Sequence, residues 1–269
     1  RNETRLGDAF HDRRAKVFIA TKWGPQFDVA TGRRLGIDGT AANCRKSVEG
    51  SLKRLRTDFI DLYYLHRVDP KTPIEESVSA MADLVKEGKI RMVGLSEPSA
   101  DTLRRAAKTA TIAAVQSEYS IFTRDVEKGP LDAMTEIGAS LVAYSPVGRG
   151  MLTGAMKKDV KPEGEDFRAT AIPRFSDDNY AANLALVEEI KSIAGEVGAK
   201  PAQVALAWVL GRAPNIHVIP GTTRIENLRT NMDAINVRLS QGQVHRLDVL
   251  AARVAGQRYT PLGMDAVNR

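Results

Sequence analysis

The feature that most constrains this chain is an alternation. Short apolar, β-branched runs recur between longer segments of helical periodicity, the pattern of repeated βα units and a parallel sheet. The strand candidates are KVFIATK, DFIDLYYLH, RMVGLSE, IAAVQSEY, SLVAYSP and HVIPGT, about six in all. Helices are expected to begin near Asn43, Glu75, Ala100, Val126, Ala182, Pro201 and Ile225, with another near Gln243. No linker rich in Pro, Gly or Ser interrupts the pattern, so residues 1–269 are expected to form one domain.

Composition narrows the function classes. With 43% hydrophobic and 27% charged residues the chain is globular and not disordered or fibrous. No apolar run reaches the ~18 residues of a membrane span. The net charge of +6 comes from dispersed Lys and Arg residues with no nucleic-acid motif beside them, which favours a phosphate-bearing small molecule as the partner. Cys44 is the only cysteine and cannot form an internal disulfide. No metal-ligand spacing links it to His11, His66, His217 or His245, so no metal site is expected and a reducing cytoplasmic compartment is.

Repeated βα units suit an open doubly wound sheet or a closed (β/α)8 barrel. An open sheet that binds a dinucleotide usually announces itself by G-x-G-x-x-G after its first strand, and that run is absent after KVFIATK. Instead each strand candidate ends in polar or small residues: Lys22, His66, Ser96 with Glu97, Gln116 with Ser117, Ser145, and Gly221 with Thr222. A barrel gathers such ends on one rim, where its chemistry sits. Two long rim loops are expected, about 23–39 and about 150–183, the second suited to an active-site lid. GRGMLTG, from Gly148 to Gly154, is either a flexible loop exit or a phosphate-facing turn.

A lysine at the position of Lys22 is a Schiff-base nucleophile, an electrostatic partner of an acid, or a snorkelling side chain. His66 shares a strand face with Leu62 and Tyr64. A Lys and a His on two separate strand ends raise the weight of a catalytic reading.

The segments ATKWG, SLKRLRTDFIDLYYLHRVDP, GKIRMVGLSE, AAVQSEYS, VAYSPVGRGMLTG and PGTTRIENL, in this order, resemble the aldo-keto reductase superfamily. The LHRVDP run and the final GMDAVNR resemble a branch common in bacteria and plants. The resemblance implies a (β/α)8 barrel that reduces aldehyde or ketone carbonyls with NADPH, releasing NADP+ and an alcohol. It implies Lys22 and His66 as catalytic residues. Ser96 and Gln116 would hold the nicotinamide carboxamide, and Tyr144, followed by Ser145, would stack on its ring. Gly148, Arg149, Gly150 and Leu152 would wrap the pyrophosphate. Gly221, Thr222, Thr223 and Arg224 would hold the adenosine phosphate and Asn231 the adenine. Trp23, the lid and the tail 257–269 would shape the substrate pocket. Arg224 favours NADPH over NADH, because a guanidinium suits a bidentate hold on a phosphate. Thr230 departs from the acidic residue of many relatives, which bears on adenine-ribose binding.

The family's proton-donating tyrosine and lysine-paired aspartate precede the helix that RNETRLGDAF resembles, and none of Tyr63, Tyr64, Tyr119, Tyr144, Tyr180 and Tyr259 matches the donor. A chain that truly begins at Arg1 is therefore expected to leave the barrel open and to reduce carbonyls poorly; a longer molecule is expected to be soluble and active. A monomer or weak homo-oligomer is expected, with no nucleic acid and no membrane partner. The alternative function is an NADP(H)-binding regulatory or sensor subunit with little turnover. An aldolase using Lys22 as a Schiff base is disfavoured by the phosphate and nicotinamide segments.

Overall fold

The computed structural model describes residues 2–28 and 30–267. Two compact units emerge, one of Arg1–Gln116, Gly129–Ser140 and Ala266–Arg269, the other of Ser117–Lys128 and Leu141–Asp265.

In the first unit, strands β1 (Ala20–Trp23), β4 (Ile60–Leu65), β5 (Ile90–Ser96) and β6 (Ile112–Glu118) pair in parallel in that order. The last two residues of β6 belong to the second unit. All six residues of β4 are buried, as expected of a central parallel strand covered on both faces. Helices α1 (Asn2–Phe10), α2 (Ala41–Leu55), α3 (Ile74–Lys86), α4 (Ala100–Thr109) and α5 (Pro130–Ile137) complete the unit. Their starts follow local chemistry. The side chain of Thr40 accepts from the Asn43 N–H at 3.3 Å and Ser99 accepts from the Thr102 N–H at 3.1 Å, each satisfying an orphan donor of a first turn. Apolar stripes then meet: Val48, Met81, Leu84 and Leu103 are fully enclosed.

Two local departures from the expected pattern have physical causes. β1 begins at Ala20 and not at Lys16, because side chains satisfy the backbone before it. Arg14 donates to the Val17 carbonyl at 2.8 Å and the Phe59 carbonyl at 3.1 Å, while Asp61 accepts from the Ile19 N–H at 2.8 Å. Loop 23–39 is partly a hairpin, β2 (Pro25–Phe27) antiparallel to β3 (Arg34–Ile37). The Asp28 carboxylate drives its turn, accepting from the N–H groups of Ala30 and Thr31 and from the Thr31 hydroxyl.

In the second unit, β7 (Ser140–Tyr144), which belongs to it from Leu141 on, pairs in parallel with β8 (Ile216–Val218), and the Tyr119 N–H donates to the Tyr144 carbonyl at 3.4 Å. Segment 150–183 is not a bare loop: it carries α6 (Phe167–Ala171) and the first turns of α7 (Asp177–Glu196), which starts earlier than Ala182. The helix expected near Val126 is one 3-10 turn, Asp125–Glu127, ahead of α5. Helices α8 (Pro201–Leu210), α9 (Ile225–Asp233), α10 (Gln241–Asp248) and α11 (Pro261–Met264) follow. Among the described residues no helix is long and apolar enough to cross a membrane.

Candidate active site

The first unit brings four of the expected residues to neighbouring strand ends. Register places Lys22 beside Tyr64, Tyr64 beside Gly94, and Ser96 beside Gln116. His66 follows β4, and its N–H donates to the Trp23 carbonyl at 2.9 Å. The Lys22 ammonium lies 5.8 Å from the centre of the Tyr64 ring. Gly94 makes room for that ring: a Cβ there would stand 2.5 Å from two of its carbons.

Burial dominates the electrostatics of Lys22. Burial, with the like charge of Arg67 second, pushes the Lys22 ammonium below its ordinary value, so its proton is held less firmly than a surface lysine's. Tyr64 moves the other way. Burial raises its phenol, and its hydroxyl faces Gln116 without closing a hydrogen bond, so it is a packed neighbour of Lys22 and a poor acid. Trp23 sits on the opposite strand face from Lys22, buried and stacked on Tyr63 with ring centres 6.4 Å apart.

Arg67 was not singled out in the sequence, although it directly follows His66. Its guanidinium donates to the Ser96 hydroxyl at 3.0 Å and to the His66 carbonyl at 2.8 Å, tying two candidate residues together. Glu97, next to Ser96, has φ 54° and its N–H donates to the Gln116 carbonyl at 3.0 Å.

The second unit arranges the other expected residues on two loops. After Tyr144, Ser145 turns the chain with φ 50°, and Gly148, Arg149 and Gly150 all have positive φ, at 58°, 57° and 98°. Three such residues in a row curl the backbone so tightly that glycine is favoured at two of them. The curl is closed by the Gly148 N–H to the Ser145 carbonyl at 2.9 Å and the Gly150 N–H to the Val147 carbonyl at 3.1 Å. Leu152 plugs it from below, fully buried.

The second loop runs from Gly221 to Arg224 into α9. The Thr222 hydroxyl accepts from the Arg224 N–H at 3.1 Å, and no side chain caps the helix. Residues 221–229 are exposed, and nothing stands within 4 Å of a Cβ placed on Gly221. An uncapped N-terminus of this kind offers free N–H groups and a positive dipole end to an anion. Asn231 lies on the same helix. Thr230 accepts from the Lys200 ammonium at 3.3 Å, and that ammonium also reaches Glu226 at 3.4 Å.

Two further residues were not anticipated. Glu118, only 3% exposed, and Tyr259, in the tail, both meet the Arg149 guanidinium, at 3.0 and 2.8 Å. Glu118 stands two residues beyond Gln116, in the same strand. Nothing in the sequence pairs residue 259 with residue 149. Among the described residues no cluster of His, Cys, Asp and Glu could hold a metal ion.

Comparison with known proteins gives the ancestry. The family model described as Aldo/keto reductase family matches residues 1–252. This chain belongs to the aldo/keto reductase family. Aldo-keto reductase str7 of Strobilurus tenacellus is 44% identical over 258 residues, covering 93% of this chain and 74% of its own. Aldo-keto reductase yakc of Schizosaccharomyces pombe, whose name specifies NADP(+), is 42% identical over 97% of this chain and 78% of its own. Among solved structures, a glycerol dehydrogenase from Gluconobacter oxydans superposes with a TM-score of 0.86 at 30% identity, covering 96% of this chain and 79% of that one. A thermostable aldo-keto reductase in complex with the inhibitor epalrestat gives 0.71 at 31% identity, covering 92% and 77%. The fold class is therefore the α/β (β/α)8 barrel of an oxidoreductase family, with six parallel strands among the described residues.

Proposed function

We propose that the protein is an NADPH-dependent reductase of aldehyde or ketone carbonyls, and that residues 1–269 form a single aldo-keto reductase domain, as one continuous family match over 1–252 supports. The observation that carries the reading is the convergence of Lys22, His66, Ser96 and Gln116 on adjoining strand ends of one unit. NADPH, when bound, supplies the hydride that reaches the carbonyl carbon.

The proton that turns the resulting alkoxide into the alcohol is drawn ultimately from water, and the chain's own residues bind and orient the reactants. His66 donates a hydrogen bond to the carbonyl oxygen and orients it. Lys22 places a positive charge where negative charge develops on that oxygen, which is worth most in a site shielded from water. Ser96, held by Arg67, and Gln116 supply the hydroxyl and amide that fix a carboxamide. The curl at Gly148–Leu152 and the uncapped start of α9 at Gly221–Arg224 suit the phosphates, and the open space around Gly221 fits a bulky anion. Arg224 selects the 2′-phosphate.

The test is NADPH consumption by the full-length protein against a panel of aldehydes and ketones, in wild type, Lys22→Met and His66→Ala. Turnover in wild type, lost by a factor of about 100 or more in both variants with NADPH affinity preserved, supports the assignment. NADPH binding without consumption of any carbonyl supports a binding or sensor subunit instead.

A further inference from the structure

We propose that Tyr259 is a positioning residue for the cofactor, holding the Tyr144 ring and the Gly148–Leu152 curl in their binding shape through a relay of hydrogen bonds. The inference rests on the cofactor reading above, with the curl against the pyrophosphate and, as the family resemblance implies, Tyr144 against the nicotinamide ring.

The guanidinium end of the relay has a fixed direction. One nitrogen of Arg149, Nη2, donates to Glu118 at 3.0 Å and to the Tyr259 hydroxyl at 2.8 Å, one hydrogen for each acceptor. The Tyr144 hydroxyl stands 2.9 Å from that of Tyr259, and either can donate to the other. Burial opposes the charge on Arg149, and Glu118 with the two phenols more than offsets it, so the guanidinium stays charged and anchored. The Arg149 side chain is thus turned inward. It braces the curl, whose Gly148, Gly150 and Leu152 N–H groups are already bonded within the loop.

The tail that carries Tyr259 is itself pinned. Asn183, fully buried, exchanges two hydrogen bonds with Ala255, its Nδ2 donating to the carbonyl and its Oδ1 accepting from the N–H, both at 2.9 Å. Arg258, 2% exposed, pairs with Asp125 at 3.2 Å. A tyrosine directly after such anchors brings a hydroxyl to a fixed point, which lowers the ordering cost of binding. Neither Tyr259 nor Glu118 is a catalytic residue in this scheme.

The experiment is NADPH dissociation from the full-length protein by stopped-flow fluorescence, in wild type, Tyr259→Phe, Tyr144→Phe and the double variant. Phenylalanine keeps each ring and removes only the hydroxyl. Tyr259→Phe is expected to release NADPH about five- to tenfold faster, with association changed by less than about twofold. The double variant is expected to lose no more than the worse single variant, because both break one relay. Wild-type dissociation from Tyr259→Phe, or losses that add in the double variant, overturns the proposal. If Tyr259→Phe fails to fold, Tyr144→Phe breaks the same bond from its other end, and wild-type dissociation there overturns it equally. A wild-type protein that binds no NADPH defeats the cofactor reading itself, a result distinct from unchanged kinetics in a protein that binds.

Discussion

At the residue scale, three side chains carry the sharpest expectations. Asp69 is buried in the loop after β4, where it accepts from the N–H groups of Gly39 and Lys71 at 2.9 Å each and from the Thr72 hydroxyl at 2.8 Å. Burial alone would raise its carboxyl, but these donors and the Lys71 charge hold it below the ordinary range. The stability it contributes is complete above the ordinary carboxylate value of about 4 and is lost as pH falls through its lowered one. Asp69→Asn should therefore melt lower at pH 7, by a cost of about 1–3 kcal/mol, and the gap to wild type should shrink in acid. A constant gap in melts across that range contradicts the assignment. Cys44 is fully enclosed and burial pushes its thiol up to about 12. It should resist alkylation in the native protein and react once unfolded, as mass spectrometry of the labelled protein would read. Arg224→Ala should weaken NADPH by about ten- to a hundredfold and NADH little; an equal loss for both removes the 2′-phosphate role.

At the element scale, the parallel strands do more than support the site, because their register decides which residues meet. Gly94 opposite Tyr64 is the tightest such point in β4 and β5. Gly94→Ala should displace the ring on which Lys22 rests, costing about 1–3 kcal/mol and lowering kcat together with Tm. A variant that melts and turns over like wild type would show that the ring is not held there. The same elements show what was legible in the sequence. Strand ends were, because a polar residue closing a β-branched run stands out, and Lys22, His66, Ser96 and Gln116 were all found in that way. The hairpin β2–β3 was not: its strands are three and four residues long, and its determinant is one aspartate side chain folding over a turn. The late start of β1 escaped for a similar reason, since Arg14 and Asp61 satisfy the preceding backbone by contacts some forty residues apart in the chain. Apolar patterning reports burial and is silent about such side-chain-to-backbone bonds.

At the scale of the whole molecule, the central claim is that an oxidoreductase family fold is used here for hydride transfer to a carbonyl. Long-range partners such as Glu118, Arg149 and Tyr259 were invisible to local pattern, because charge and hydroxyl pairing at large separation leaves no periodic trace. Family motifs supplied the expected roles instead, and the register of the first unit sets Lys22 and His66 on adjoining strands. The measurement that tests the claim most directly follows the hydrogen itself. The full-length protein is supplied with NADPH carrying deuterium at the transferable position and with an aldehyde, and the alcohol formed is analysed by mass spectrometry. One deuterium is expected on the former carbonyl carbon, formed by wild type and nearly abolished by Lys22→Met. Alcohol free of deuterium, or labelled NADPH that binds and is never consumed, would contradict it.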